Sequence, residues 1–100
     1  MDRFLLVFRG ATIGAAEGPQ HDPAAWDAWF GQLGAALLDR GAFSYGSVEI
    51  PSRLLGPKLS TSALSGYAII AAADFDAAVQ AVNTCPIFDE KGEVEIAHLR

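Results

Sequence analysis

Cysteine is almost missing from this chain: Cys85 is the single one, so no disulfide can form within it. That excludes a disulfide-stapled secreted scaffold, and a reducing compartment fits. Positive charge is also scarce, with 7 Lys plus Arg against 12 Asp plus Glu and a net charge of −5. Arg3, Arg9, Arg40, Arg53, Lys58, Lys91 and Arg100 are scattered and form no run. A phosphate backbone is held mainly by clustered cations. Nucleic acid is therefore not an expected partner, and an anionic membrane surface is a poor one. Long apolar runs are missing too. The stretch from Phe4 to Phe8 falls far short of the roughly twenty residues that span a bilayer. It is also too short for a signal-peptide core. The expected location is cytoplasmic.

Metal and cofactor signatures are equally thin. Two His and one Cys occur without any His-x-x-x-His or Cys-x-x-Cys spacing, so no metal site is expected. The Gly-rich segment 10–18 lacks the Lys-Ser/Thr pair of a phosphate loop and any dinucleotide fingerprint. No Ser stands in a nucleophile-elbow context. No cofactor is expected.

What is present is apolar. About half of the residues (51%) are hydrophobic, enough for one core, and 100 residues make one domain over 1–100. So small a domain buries a modest fraction of its surface, and pairing is a common remedy. Phe4 to Phe8, flanked by Arg3 and Arg9 and followed by Gly10, reads as a strand that is apolar on both faces. Residues Gly10 to His21 read as a long loop.

Asp22 is an N-cap candidate with Pro23 at the first helical position. Trp26, Trp29, Phe30, Leu33 and Leu37 then recur at helical spacing. The spacing predicts a helix to about Arg40, with Gly41 as its stop and Gly31 and Gly34 packed closely on a sheet. Phe43 to Ile50 alternates as a mixed strand ending at Pro51, and Pro51 to Ser65 is a connection with at most a short apolar element. Gly66 to Ala72 is a second strand apolar on both faces. Asp74 caps a second helix whose stripe is Phe75, Ala78, Val79 and Val82, ending before Pro86. Glu93 to Leu99 alternates again, with Val94, Ile96 and His98 on one face.

The order β-α-β, β-α-β is the split arrangement of an α+β, ferredoxin-like fold with an antiparallel sheet. Its first and third strands are central, in agreement with their two apolar faces. Two helices cover one face only. The expected lid for the other is a second copy, giving a homodimer through sheet faces; the alternative is that the long loops fold over it.

Several stretches resemble YCII-related (DGPF-type) proteins: the opening Met1-Asp2-Arg3-Phe4-Leu5-Leu6-Val7-Phe8, the paired tryptophans before Asp39-Arg40-Gly41, and Leu55-Gly56-Pro57-Lys58. So do Ser65-Gly66-Tyr67-Ala68-Ile69-Ile70, Asp74-Phe75-Asp76-Ala77-Ala78, Thr84-Cys85-Pro86 and Gly92-Glu93-Val94-Glu95-Ile96. The resemblance covers most of the chain and implies a dimeric α+β barrel. It also implies, from some members, a His–Asp pair in a cleft of a small enzyme; other members occur alongside transcription-initiation factors. Leu55-Gly56-Pro57-Lys58 lacks the Asp and Phe of the family signature, and Ala97-His98 stands where an Arg-Pro pair is usual.

His21 is the nearest match to the family's His. Beside Asp22 it is a candidate general base, because an unperturbed imidazole titrates near neutral pH. The competing reading makes Asp22 a cap and His21 a solvated residue. Arg9 can receive an anionic group or be a strand-end charge. Trp26 can stack on a ligand or fill the core. Tyr45 can point its hydroxyl into a cleft or pack on an edge strand, and His98 can line a pocket or reach water. Cys85 reads as a buried, inert thiol.

Two functional classes follow. One is a small-molecule-binding dimer, in its catalytic form a cofactor-free enzyme using His21 and Asp22. The other is a non-catalytic dimerisation or protein-interaction module.

Overall fold

The computed structural model describes residues 1–10, 21–60 and 63–100. The loop reading of the Gly-rich stretch falls largely on 11–20 and lies outside the described residues. Four strands form one sheet: β1 (Asp2–Arg9), β2 (Leu37–Phe43), β5 (Leu64–Ala72) and β6 (Glu93–Leu99), in the order β2-β5-β1-β6. All three pairings are antiparallel. With helices α1 (Pro23–Leu33) and α2 (Phe75–Val82), the fold is α+β. A separate two-stranded ladder joins β3 (Val48–Glu49) to β4 (Lys58–Leu59). Among the described residues, no helix is long and apolar enough to cross a membrane.

The two apolar-faced strands take the centre, where both edges of each are hydrogen-bonded to a neighbour. Register follows the alternation: Phe4 lies opposite Ile70 and His98, Leu6 opposite Ala68 and Ile96, Phe8 opposite Gly66 and Val94. Phe4, Leu6, Phe8, Ala68 and Ile70 join Trp26, Trp29, Phe30, Ala78 and Val82 in one core, so both helices lie on that face. Leu5, Val7, Tyr67 and Ile69 occupy the other face and belong to no buried cluster.

Helix α1 is shorter than its spacing suggested. Gly34 adopts φ 55° and its N–H closes on the Phe30 carbonyl, so the chain leaves the helix there. A short 3₁₀ turn over Gly34–Ala36 then leads into β2. Leu37 mimicked the helical stripe because it is partly buried against the same core, but as the first residue of a strand. A Cβ at Gly31 or Gly34 would meet nothing within 4 Å, so close packing does not account for either.

Gly41 does not stop a helix; it lies inside β2 at φ 66°. A Cβ there would sit 1.9 Å from the Tyr67 carbonyl oxygen, and the register slips between Asp39 and Ala42. This is a bulge that only glycine fits. The second sheet strand therefore precedes the expected Phe43–Ile50 segment, most of which enters the β3–β4 arm instead.

Helix α2 begins where expected, with Asp74 Oδ1 accepting from the Ala77 N–H at 2.8 Å. Its buried line is Ala78 and Val82 flanked by Ala77 and Ala81, while Phe75 and Val79 are about half exposed. The alanines of the helix face the core, and Phe75 still meets Phe4 edge-on with centroids 5.1 Å apart.

Candidate functional site

The site is assembled where α1 begins. Asp22 Oδ1 accepts from the N–H of Ala24 at 3.1 Å and of Ala25 at 3.5 Å, which caps the helix. With that carboxylate engaged, the group that meets His21 is Glu90. Glu90 Oε1 lies 2.7 Å from His21 Nδ1. Its other oxygen accepts from Trp26 Nε1 at 2.8 Å and from the Asp22 N–H at 3.3 Å. The His21 and Glu90 side chains are 3% and 11% exposed.

Glu90 is aimed by a turn. After a 3₁₀ segment at Pro86–Phe88, the Glu90 N–H donates to the Pro86 and Ile87 carbonyls. Lys91 takes φ 64°, and the Gly92 N–H donates to Ile87 at 2.8 Å. Gly92 has to be glycine, since a Cβ would come 2.7 Å from the Arg9 carbonyl oxygen and 2.6 Å from Ile87. That approach pins the turn against the end of β1.

The His21 ring stacks on Phe43 with centroids 3.8 Å apart and meets Trp26 edge-on at 5.6 Å. A carboxylate already accepting from two N–H groups offers Nδ1 only an acceptor, so Nδ1 carries the hydrogen. In the neutral ring the lone pair is then on Nε2. Nε2 is buried and, among the described residues, has no hydrogen-bond partner; the same holds for Ser65 Oγ. An imidazole oriented in this way, with no partner at Nε2 among the described residues, can exchange a proton or accept a hydrogen bond.

On the face opposite α1 and α2 lies a cavity of about 310 Å³ bordered by Leu5, Val7, Ala42, Phe43, Ser44 and Tyr67, almost wholly apolar. Phe43 belongs to both places: it stacks on His21 and borders the cavity.

The other candidates are dispersed. Trp26 is buried in the core, bonded to Glu90 and unavailable for stacking on a ligand. Arg9 Nη2 is tied to Glu95 Oε1 at 3.1 Å. Tyr45 is exposed and stands beyond the end of β2, in no edge strand. His98 stacks on Phe4 at 4.9 Å and its Nε2 lies 3.1 Å from Asp2 Oδ2. It is on the helix-covered face, away from the cavity, and four residues along β1 from the Phe8 end where His21 sits, or about 13 Å. The two histidines are not brought together.

Cys85 is buried, and desolvation pushes its thiol up from 9.0 to about 12. Among the described residues, no cluster of three or more His, Cys, Asp or Glu is placed to hold a metal ion.

Glu90 carried no signal in the sequence. It sits in the charged run Asp89-Glu90-Lys91-Gly92, which reads as an ordinary solvated turn.

No protein-family model, no curated protein and no solved structure matches the chain.

Proposed function

We propose that the protein is a small-molecule-binding dimer. Two open sheet faces close on one another into an α+β barrel of the YCII-related, ferredoxin-like kind the sequence resembles. In its catalytic form His21 is the acid–base residue, and Glu90, in place of Asp22, is the carboxylate that orients it. The observation that carries this reading is the buried His21 ring. It is clamped at Nδ1 by Glu90, unpartnered at Nε2 among the described residues, and stacked on a residue that borders the cavity.

Buried polar atoms are normally satisfied, and an exception calls for an explanation such as a ligand or a proton to be moved. The open face supports the dimer. Leu5, Val7, Tyr67 and Ile69 lie on central strands, on the face that neither α1 nor α2 covers, and a two-fold pairing covers both copies at once. The apolar lining of the cavity selects a neutral, largely aromatic or aliphatic compound.

A thermal-shift screen of small neutral aromatic and aliphatic compounds tests this, run on the wild type, Ala42→Trp and His21→Asn. Ala42 is an exposed edge-strand residue of the cavity wall, so a tryptophan there fills the space without entering the core. A compound that stabilises the wild type and neither variant supports the site. A screen with no response, or one in which both variants respond like the wild type, counts against it.

The second reading, a non-catalytic dimerisation or protein-interaction module, is favoured by a different observation. Tyr45, Val48, Ile50, Leu54, Leu55 and Leu59 are exposed within one short segment.

A further inference from the structure

The segment 45–60 is unusual for the surface of a folded chain. It contains the β3–β4 ladder, whose strands pair only with each other among the described residues. The loop between them carries Leu54 and Leu55 at 93% and 73% exposure, with Leu59 at 82% on β4. The loop is ordered rather than slack: the Gly56 N–H donates to the Ser52 carbonyl at 3.0 Å and the Leu55 N–H to Ser52 Oγ at 3.1 Å. Glu49 and Lys58 face each other at 3.7 Å across the ladder. The six large apolar residues of this arm are each more than half exposed. Monomeric proteins seldom leave that much apolar surface in water.

The arm is rooted at the cavity. Phe43 and Ser44 at one end and Leu64 at the other all border it. The cavity wall is otherwise the sheet itself, on the face that neither α1 nor α2 covers. One chain therefore carries a protruding apolar element and an open apolar face that meet at a common margin.

We propose that the arm of one copy lies across the open sheet face of a second copy and supplies the missing wall of its cavity. The proposal rests on the face-to-face dimer described above and makes the ligand pocket composite. A two-fold axis satisfies both surfaces with one contact made twice, so the assembly closes at two copies. Charge agrees. Arg53 in the arm and Glu93, on the open face by its register opposite Arg9, have no ion-pair partner among the described residues.

The test is sedimentation equilibrium of the wild type and of the double variant Leu54→Ser/Leu55→Ser, with amide hydrogen exchange of the wild type across its dimer transition. Both leucines are exposed, so the variant keeps its fold. The expected result is a dimer whose dissociation constant rises at least tenfold in the variant, and arm amides whose protection grows with concentration. A variant that dimerises like the wild type, or arm amides indifferent to concentration, overturns the arm contact and leaves the sheet-face dimer standing. A wild type that is monomeric at about 100 μM overturns both.

Discussion

Glu90 Oε1 and His21 Nδ1 lie 2.7 Å apart although 69 residues separate them in the chain. Both glutamate oxygens are in use, the second by Trp26 Nε1 at 2.8 Å. The contact ties the start of α1 to the turn before β6 and decides which imidazole nitrogen bears the hydrogen.

Replacing Glu90 by Gln should therefore be felt twice. An amide has one acceptor oxygen, so its NH₂ must face either the His21 or the Trp26 donor, where the carboxylate had accepted from both. We expect a loss of about 1–3 kcal/mol, read from urea or thermal melting. Long-range ¹H–¹⁵N spectra of the wild type should show His21 as the Nδ1–H tautomer. A His21 protonated on Nε2 alone would sink the orientation argued for the site.

Asp22→Ala separates the cap from the base. Loss of the bonds to Ala24 and Ala25 should cost about 1 kcal/mol and leave the His21 tautomer signal where it was. If Asp22→Ala displaces that signal as far as Glu90→Gln does, the carboxylate next in sequence is the true partner.

Cys85 should ignore thiol reagents in the native protein at pH 8, because burial holds its pKa at about 12. The linkage has a definite sign. The folded value is raised, so the unfolded chain releases this proton first as pH rises. The contribution is complete below pH 9.0 and lost on the way to about 12, at about 1.4 kcal/mol per pH unit. Comparing the alkaline stability of the wild type with Cys85→Ala isolates it; identical pH slopes would exclude a raised thiol.

Two glycine-to-alanine changes should move stability in opposite directions. Gly41→Ala places a methyl 1.9 Å from the Tyr67 carbonyl oxygen at a φ of 66°, so either the bulge or the β2–β5 pairing must give. We expect a loss above about 3 kcal/mol, in the range of severe core defects. Gly31→Ala, inside α1 with nothing within 4 Å of the new atom, should gain up to about 1 kcal/mol. Equal effects in urea denaturation would contradict the bulge.

Much of the frame was legible without coordinates. Phe4 to Phe8 and the run through Ile70 are apolar at successive positions, and a strand of that kind belongs at the centre of a sheet. Asp22-Pro23 and Asp74 marked both helix starts, because a side chain accepting from its own next turn is a local interaction. The end of α1 was not legible in the same way. The Leu33–Leu37 interval fits a helical stripe, and it fits equally a chain that turns at Gly34 and returns to the same core.

By itself, then, the sequence determined the elements whose causes lie within a few residues, together with the acidic, nearly cysteine-free composition of the chain. Only the tertiary structure decided which carboxylate meets His21, that His98 lies far from it, and that residues 45–60 form an arm in place of an edge strand. Those outcomes depend on contacts across tens of residues. A charged turn reads the same whether its glutamate faces water or closes over an imidazole at the far end of the chain.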